Sequence, residues 1–392
     1  MSQSVLATQI YSTPISCPEV LTSLPSSAYS ALVIDLAASA ENYRRLTQLA
    51  PTARCAAVLK ADGYGVGAIP VGRALYDQGC RDFFVAYADE GITLREALLN
   101  KGLDARIFVL NGLFPGTEGV FTEYHLVPTL TDLDQISRWQ MHARVLGRLL
   151  PAALHVDTGM SRTGLTSKEV QTLTHGSHVW DGLKIELVLS QMVYSHEENL
   201  VFSSQQRLRF EQVLRHLPKA PRSLAKSGAI YVGQEFHYDV VRPGVALHGI
   251  NPTNQPTNPL VPVVSLWAKI YQVQNVVVGQ SIGYNQTYVA QSPCQVATIA
   301  LGYADGYPWS LANTGYVMIG AYKAPVVGRI SMDLLTVDVT GIPENLIYPG
   351  GWVQVIGGEV TVEMLAHQAK TVPYEILLRL GKRFQRVYTP FT

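Results

Sequence analysis

The sequence predicts a two-domain chain, a parallel (β/α)8 barrel of the TIM type followed by a mainly-β domain. Three observations lead there. From Cys55 to about Ile250, short β-rich runs alternate with amphipathic stretches in the pattern of parallel βα units. Residues 251–262 then carry Pro252, Pro256, Pro259 and Pro262, a density that marks an exposed linker. Beyond it, segments rich in Val, Ile, Tyr and Thr are punctuated by glycine and show little helical periodicity. The length, 392 residues, suits two domains of ordinary size.

The β-rich runs are 55–60, 82–87, 106–111, 126–130, 152–157, 185–192, 223–227 and 240–244, and eight parallel strands with interleaved helices close into a barrel. Helices are expected over 70–78, 89–100, 132–146 and 203–217, the last with Leu208, Val213, Leu214 and Leu217 near one face. A doubly wound open sheet is the alternative, because one sequence does not reveal strand order. The stretch 31–36, ALVIDL, is a further strand able to pair with either domain. The expected layout is a tail at 1–26, a barrel at 27–250, a linker at 251–262 and a β domain at 263–392. The β domain's expected strands lie within 266–278, 294–301, 316–320, 333–339 and 352–357.

Composition removes several function classes. Lys+Arg and Asp+Glu both number 30 and charged residues make up only 15%, so neither disorder nor a polyanion-binding surface is favoured. No apolar run approaches the roughly 20 residues that cross a bilayer. The N-terminal tail is interrupted by Gln9, Ser12, Pro14 and Glu19, unlike a secretion signal. Cys17, Cys55, Cys80 and Cys294 are scattered without a CxxC pair, which suits a reducing cytoplasm and argues against zinc. His175, His178 and His237 have no metal-ligand spacing, so no metal is expected.

Lys60 is the first residue with chemistry. It ends a strand and precedes Ala61-Asp62-Gly63-Tyr64-Gly65-Val66-Gly67, whose glycines permit close backbone approach at the barrel rim where functional groups sit. The preceding AAVL can desolvate the ammonium, lower its pKa and make it a nucleophile toward carbonyls. A surface lysine in a loop is the ordinary reading of such a residue alone.

AVLKADGYGVG resembles the cofactor-lysine segment of the alanine racemases, fold-type III pyridoxal-phosphate enzymes. The family's other patterns follow in order as DTGMSRTG (157–164), VRPGVALHG (241–249), IGYNQTY (282–288), ALGYADGYP (300–308), VVGRISMDLLTVDVT (326–340) and VPYEILLRLGKR (372–383). The resemblance implies pyridoxal 5'-phosphate held covalently on Lys60, which also acts as one catalytic base, with Tyr284 of a second subunit as the opposing base. It implies phosphate binding by Tyr64, Ser227, Gly244, Val245 and Tyr374, with Arg242 facing the pyridine nitrogen and Arg162 near the phenolic oxygen. Met332, through its backbone N–H, and Arg162 would bind the substrate carboxylate, with Asp333 beside Met332 and Tyr303 near the site. An arginine beside the pyridine nitrogen weakens the electron sink, which favours proton removal and return over transamination. A decarboxylase of the same fold type would have a carboxylate there.

Six positions depart from the family pattern. Gln191 stands where the family has a histidine bridging the catalytic tyrosine and the cofactor arginine, and a neutral amide cannot share a titrating proton. His155 occupies a position that is lysine in many members, and Lys226 replaces an asparagine before Ser227. His196 takes an acidic entrance position, Trp309 a basic one and His248 a tyrosine position.

The expected function is therefore interconversion of L- and D-alanine by a cytoplasmic homodimer with shared active sites. A racemase for serine or several amino acids, or a lyase on the same scaffold, stays open because of Gln191, His196 and Trp309. A non-catalytic cofactor-binding protein would need no tyrosine base, so the pairing of Lys60 with Tyr284 argues against it.

Overall fold

The computed structural model describes residues 18–173, 179–194 and 199–389. Cys17, His175, His178 and His196 lie outside these. The chain divides into two compact units, residues 37–261 and residues 1–36 with 262–392.

The first strand, β1 (Ser30–Asp35), belongs to the second of these units. Residues 37–261 then contribute β2 (Arg54–Cys55), β3 (Ala57–Val58), β4 (Asp82–Val85), β5 (Arg106–Val109), β6 (Leu126–Leu130), β7 (Leu150–His155), β8 (Leu183–Leu189), β9 (Arg222–Ser223) and β10 (Val240–Val241). Strands β3 to β9 pair in sequence order, all parallel. β2 and β3 are one run broken at Ala56, and β10 closes the ring by pairing with that run. Ala56 N–H donates to Val241 O at 2.9 Å, Val58 N–H to Pro243 O at 2.8 Å and, on the other edge, Arg242 N–H to Ala225 O at 3.0 Å. The predicted barrel is thus present, and the open doubly wound sheet is not.

Inward residues from successive strands fill the ring, among them Val58, Phe84, Phe108, Val127, Leu187 and Val240. Phe84 and Phe108 stack with centroids 4.7 Å apart. The intervening helices run Ala68–Asp77, Ala88–Leu99, Leu133–Leu146 and Leu200–Leu214. Asp132 caps the third, its carboxylate accepting from Gln135 N–H at 2.8 Å. In the fourth, the buried positions are Ser203, Gln206, Phe210 and Val213, while the expected core residue Leu208 is exposed. The face is rotated because Gln206 has hydrogen-bond partners inside.

The proline-rich segment is tethered more closely than a free linker would be. Asn42 uses its amide to satisfy both the N–H and the C=O of Val261, each at 2.8 Å, and Arg45 donates to Pro259 O at 2.8 Å. Pro252 and Leu260 are buried, and the exposed positions are 254–257 and Pro262.

In the other unit, β11 (Val264–Val276) is the spine. Its first half pairs with β1, and a register shift between Ile270 and Gln272 turns its second half onto a different partner. The remaining strands are β12 (Ser281–Ile282), β13 (Tyr288–Val289), β14 (Cys294–Ile299), β15 (Tyr316–Ile319), β16 (Tyr322–Pro325), β17 (Leu335–Asp338), β18 (Trp352–Ile356) and β19 (Gln385–Thr389). The sheet order is β16-β15-β18-β11-β1-β19, with β14 and β17 added on the far half of β11. Two helices that the sequence reading missed, Val362–Ala369 and Pro373–Arg379, complete this unit.

The barrel boundary expected at residue 27 is corrected by β1, which lies between β11 and β19, antiparallel to the first and parallel to the second. The expected tail is also shorter. Leu21, in a turn at Glu19–Leu21, is 2% exposed and packs with Ala31, Val33 and Trp267. No helix among the described residues is long and apolar enough to cross a membrane.

Leu32 is fully buried at the centre of β1. Leu32→Ala should cost about 2–5 kcal/mol in urea unfolding. Hydrogen exchange should then accelerate in β11 and β19, and barrel strands β4 to β8 should keep wild-type protection.

Candidate active site

The C-terminal ends of the barrel strands gather the residues singled out above. After β3 the backbone enters an unusual turn. Ala61, Asp62, Gly63, Tyr64 and Gly65 have φ of 52°, 52°, 62°, 58° and 83°, a left-handed run that L-residues avoid at a cost of about 1–2 kcal/mol each. Hydrogen bonds to and from neighbouring segments hold it in place. Glu90 Oε1 accepts from Ala61 N–H at 2.6 Å, while Oε2 accepts from Ala86 N–H at 2.7 Å, tying this turn to the one after β4. Asp62 Oδ1 accepts from Ala68 N–H at 2.8 Å. The run presents Lys60 and Tyr64, both half-buried.

Lys60 is held below the ordinary amine range, first by burial, then by the charge of Arg162, with Glu90 opposing and Arg242 adding to the effect. Such an amine is a better nucleophile and base near neutrality than a solvated lysine.

Arg242 is the deepest charge, 4% exposed. Its guanidinium donates to Ser223 Oγ at 2.8 Å, Ser190 O at 2.5 Å and Gln191 Oε1 at 3.3 Å, and its carbon lies 6.0 Å from the Phe84 ring centroid. No carboxylate pairs with it among the described residues, so burial alone brings it down to about 10. It remains a cation at neutral pH, offset only by neutral dipoles.

Ser227, Gly244 and Val245 form a compact cradle. Ser227 Oγ accepts from Gly244 N–H at 2.9 Å and from Ala246 N–H at 3.4 Å, which leaves its own proton free to donate. Among the described residues the Val245 N–H has no acceptor. The Tyr64 phenol lies directly over Gly244, where any Cβ would collide with its hydroxyl. Backbone donors, a serine and a tyrosine hydroxyl therefore converge at one spot, an arrangement suited to a phosphate.

The neighbouring departures are now explicit. Lys226 is half-buried and lowered by burial, then by the charges of Arg162 and Arg242. His155, at the end of β7, is brought down to about 4, first by burial and then by Arg242 and Arg162, against the pull of Asp157. His248, 1% exposed, packs against Tyr64 with ring centroids 5.3 Å apart and is brought down by burial to about 3. Arg162 is exposed in a loop organised by Asp157, whose carboxylate accepts from the N–H groups of Gly159, Met160 and Ser161.

The β unit, taken by itself, brings its own set together. Tyr284 is 66% exposed on a turn, and Gly283 at φ 76° lets the backbone approach Arg329, whose N would lie 3.1 Å from a Cβ there. Arg329 in turn stacks on Trp309, 5.4 Å from its ring centroid. Met332 is exposed. Its carbonyl accepts from Ala304 N–H at 2.9 Å, and its own N–H has no acceptor among the described residues. Arg383 bridges buried Asp305 and Asp333, both at 2.7 Å, and so braces the Met332 loop. Tyr303, Tyr307, Trp309 and Arg379 line an adjoining cavity of about 470 Å³. Tyr374 is partly exposed on the helix Pro373–Arg379, its phenol raised by burial.

Glu90, Ser190, Ser223 and Gln206 were not anticipated. Only Glu90 had a signal, as an acidic residue in the first turn of a helix.

The two buried histidines make a stability prediction. In the unfolded chain they bind protons near 6.5, whereas the fold delays this to about 4 and about 3. Between those values the unfolded state binds more protons, so stability rises with pH and falls as pH drops below 6.5. Urea unfolding should lose about 1.4 kcal/mol per histidine between pH 7.5 and 5.5, and His248→Phe should remove one such share.

The description "Alanine racemase, N-terminal domain" matches residues 34–252, and "Alanine racemase, C-terminal domain" matches residues 263–388. An alanine racemase of Rickettsia canadensis (strain McKiel) is 41% identical over 358 residues, 91% of this chain and 98% of that protein. One from Brucella abortus (strain 2308) is 42% identical over 371 residues, 91% and 93% respectively. Among solved structures, the Bartonella henselae alanine racemase with covalently bound pyridoxal phosphate aligns with a TM-score of 0.88 at 36% identity, covering 92% of this chain and all of that one. The barrel with its strand-end lysine, the buried arginine and the β unit with its exposed tyrosine are features of a chain that belongs to the alanine racemase family.

Proposed function

We propose that the protein interconverts L-alanine and D-alanine, with pyridoxal phosphate held covalently on Lys60. The observation that carries this reading is Arg242, a buried cation with no carboxylate partner among the described residues, in the same strand-end cluster as an amine of depressed basicity and a phosphate cradle. The donors fit the cofactor. Tyr64, the free proton of Ser227 and the N–H of Val245 would take the phosphate beside Gly244, and the family resemblance adds the hydroxyl of Tyr374. Arg242 would face the ring nitrogen, and Arg162 the phenolic oxygen.

When bound, pyridoxal phosphate conjugates with the substrate amine and acidifies its α-hydrogen. Everything else is done by the chain's own residues. Lys60 Nζ takes or returns the α-proton on the D-alanine side, and Tyr284 Oη of a second copy does so on the L-alanine side. The family resemblance gives the substrate carboxylate to Arg162 and to the N–H of Met332, which is unengaged among the described residues and lies in the loop braced by Asp333 and Arg383. Arg242 keeps its own proton and so disfavours a second charge on the ring nitrogen, which steers the site toward proton return. Gln191, a neutral acceptor for Arg242, modulates this without titrating.

A second reading, a racemase of wider specificity, is favoured by Trp309, which lines a cavity in the β unit and carries Arg329 on its ring. A chiral assay over alanine, serine and larger amino acids separates the two. We infer a homodimer with shared sites, and a reducing cytoplasm suits the free thiols of Cys55, Cys80 and Cys294.

Borohydride reduction of the holoenzyme followed by peptide mass analysis should place the adduct on the Lys60 peptide, and an adduct on Lys226 would overturn the assignment. Lys60→Ala and Tyr284→Ala chains, each inactive, should recover up to about a quarter of wild-type activity when mixed under subunit exchange, because half the dimers then hold one intact site. No recovery despite demonstrated exchange would exclude sharing.

A further inference from the structure

Two of the three acceptors that hold Arg242 belong to a turn that is itself held by one side chain of the helix Leu200–Leu214. Gln206 is completely buried, on a face otherwise given to Ser203, Phe210 and Val213. A buried amide is costly unless its groups are paired, and an apolar side chain would fill the same volume without that cost. Here the amide is fully engaged. Its nitrogen donates to Gln191 O at 2.7 Å and to Thr158 Oγ1 at 3.0 Å, and its oxygen accepts from Val193 N–H at 3.1 Å. Thr158 Oγ1 lies 2.7 Å from Ser190 Oγ.

The turn pinned in this way is the one that supplies Arg242 with two of its three acceptors, Ser190 O and Gln191 Oε1. One amide thus clasps residues 191 and 193 directly and residue 190 through Thr158. The guanidinium fork is rigid, so its direction follows the positions of its acceptors. Among the described residues no carboxylate pairs with it, and its remaining acceptor is Ser223 Oγ. No group in the chain from Gln206 through Thr158, Ser190 and Gln191 titrates in the physiological range, so the clasp holds the same geometry at every working pH.

We propose that Gln206 is a positioning residue, which sets the direction of the Arg242 guanidinium and, through it, the electronic state of the bound cofactor. The inference rests on the racemase reading given above. Its test uses the holoenzyme of Gln206→Met, an apolar side chain of similar shape. A second variant, Thr158→Val, cuts the link to Ser190, and Thr158→Ser retains the hydroxyl.

The measurements are the visible absorption spectrum of the bound cofactor from pH 6 to 10, cofactor retention on dilution, and kcat and KM for alanine. Gln206→Met and Thr158→Val should lose about tenfold in kcat, the effect of one broken buried hydrogen bond, with KM within about twofold of wild type. Their absorption spectra should depart from wild type, and Thr158→Ser should restore both kcat and spectrum. Unchanged kcat and spectrum in a folded variant, even with reduced stability to urea, would make Gln206 a core residue only and overturn the proposal. If Gln206→Met yields no folded holoenzyme, Thr158→Val decides by the same two outcomes. A wild-type protein that racemises no amino acid would instead defeat the racemase reading, while the spectral comparison would still decide the role of Gln206.

Discussion

A buried guanidinium held by neutral acceptors, with no carboxylate partner among the described residues, is the constraint on which the barrel end of this protein turns. Taking a cation out of water costs several kcal/mol, and fully hydrogen-bonded neutral acceptors recover only part of it. Arg242 is therefore a standing electrostatic demand, met within the chain by Ser190, Gln191 and Ser223, all neutral acceptors. The same field, added to burial, depresses Lys60, Lys226 and His155. Burial first, then the charges of Arg162 and Arg242 together, lower the amine and keep the nearby imidazole neutral.

Backbone strain does complementary work on the other side of the same mouth. The left-handed run from Ala61 to Gly65 is unfavourable by itself and is held at its start, where Glu90 accepts from Ala61 N–H, and at its exit, where the Asp62 carboxylate of the run accepts from Ala68 N–H. It folds the chain back so that Lys60 and Tyr64 come from one short turn, and Tyr64 closes over Gly244 from the last strand. Strain of this kind concentrates where a side chain must be held in one direction. The β unit uses a related device, in which Gly283 lets the Tyr284 turn approach Arg329, and the paired aspartates on Arg383 hold the Met332 loop.

Much of this was legible in the sequence where the signal is local. Alternating β-rich and amphipathic runs gave the barrel, and a strand-end lysine before three glycines drew attention to Lys60. What depends on distant pairing was not. Residues 30–35 look like a barrel strand by composition, and only their partners in β11 and β19, hundreds of positions away, assign them elsewhere. Gln206 was passed over for a similar reason, since a glutamine in an amphipathic helix reads as solvent-facing, and Leu208 was expected inside in its place. The short helices at 362–369 and 373–379 fell within a stretch whose other segments are strongly β-forming. The proline-rich segment read as free because the side chain that fastens it, Asn42, lies more than two hundred residues earlier.

The central claim is that Arg242 keeps a positive charge off the ring nitrogen of the bound cofactor, so that proton exchange at the substrate prevails over other outcomes. The most direct measurement is the ¹⁵N chemical shift of that nitrogen in holoenzyme reconstituted with labelled pyridoxal phosphate at neutral pH. An unprotonated nitrogen, reverting toward the protonated value in Arg242→Glu, is the predicted result. A protonated nitrogen in the wild-type enzyme would contradict the account.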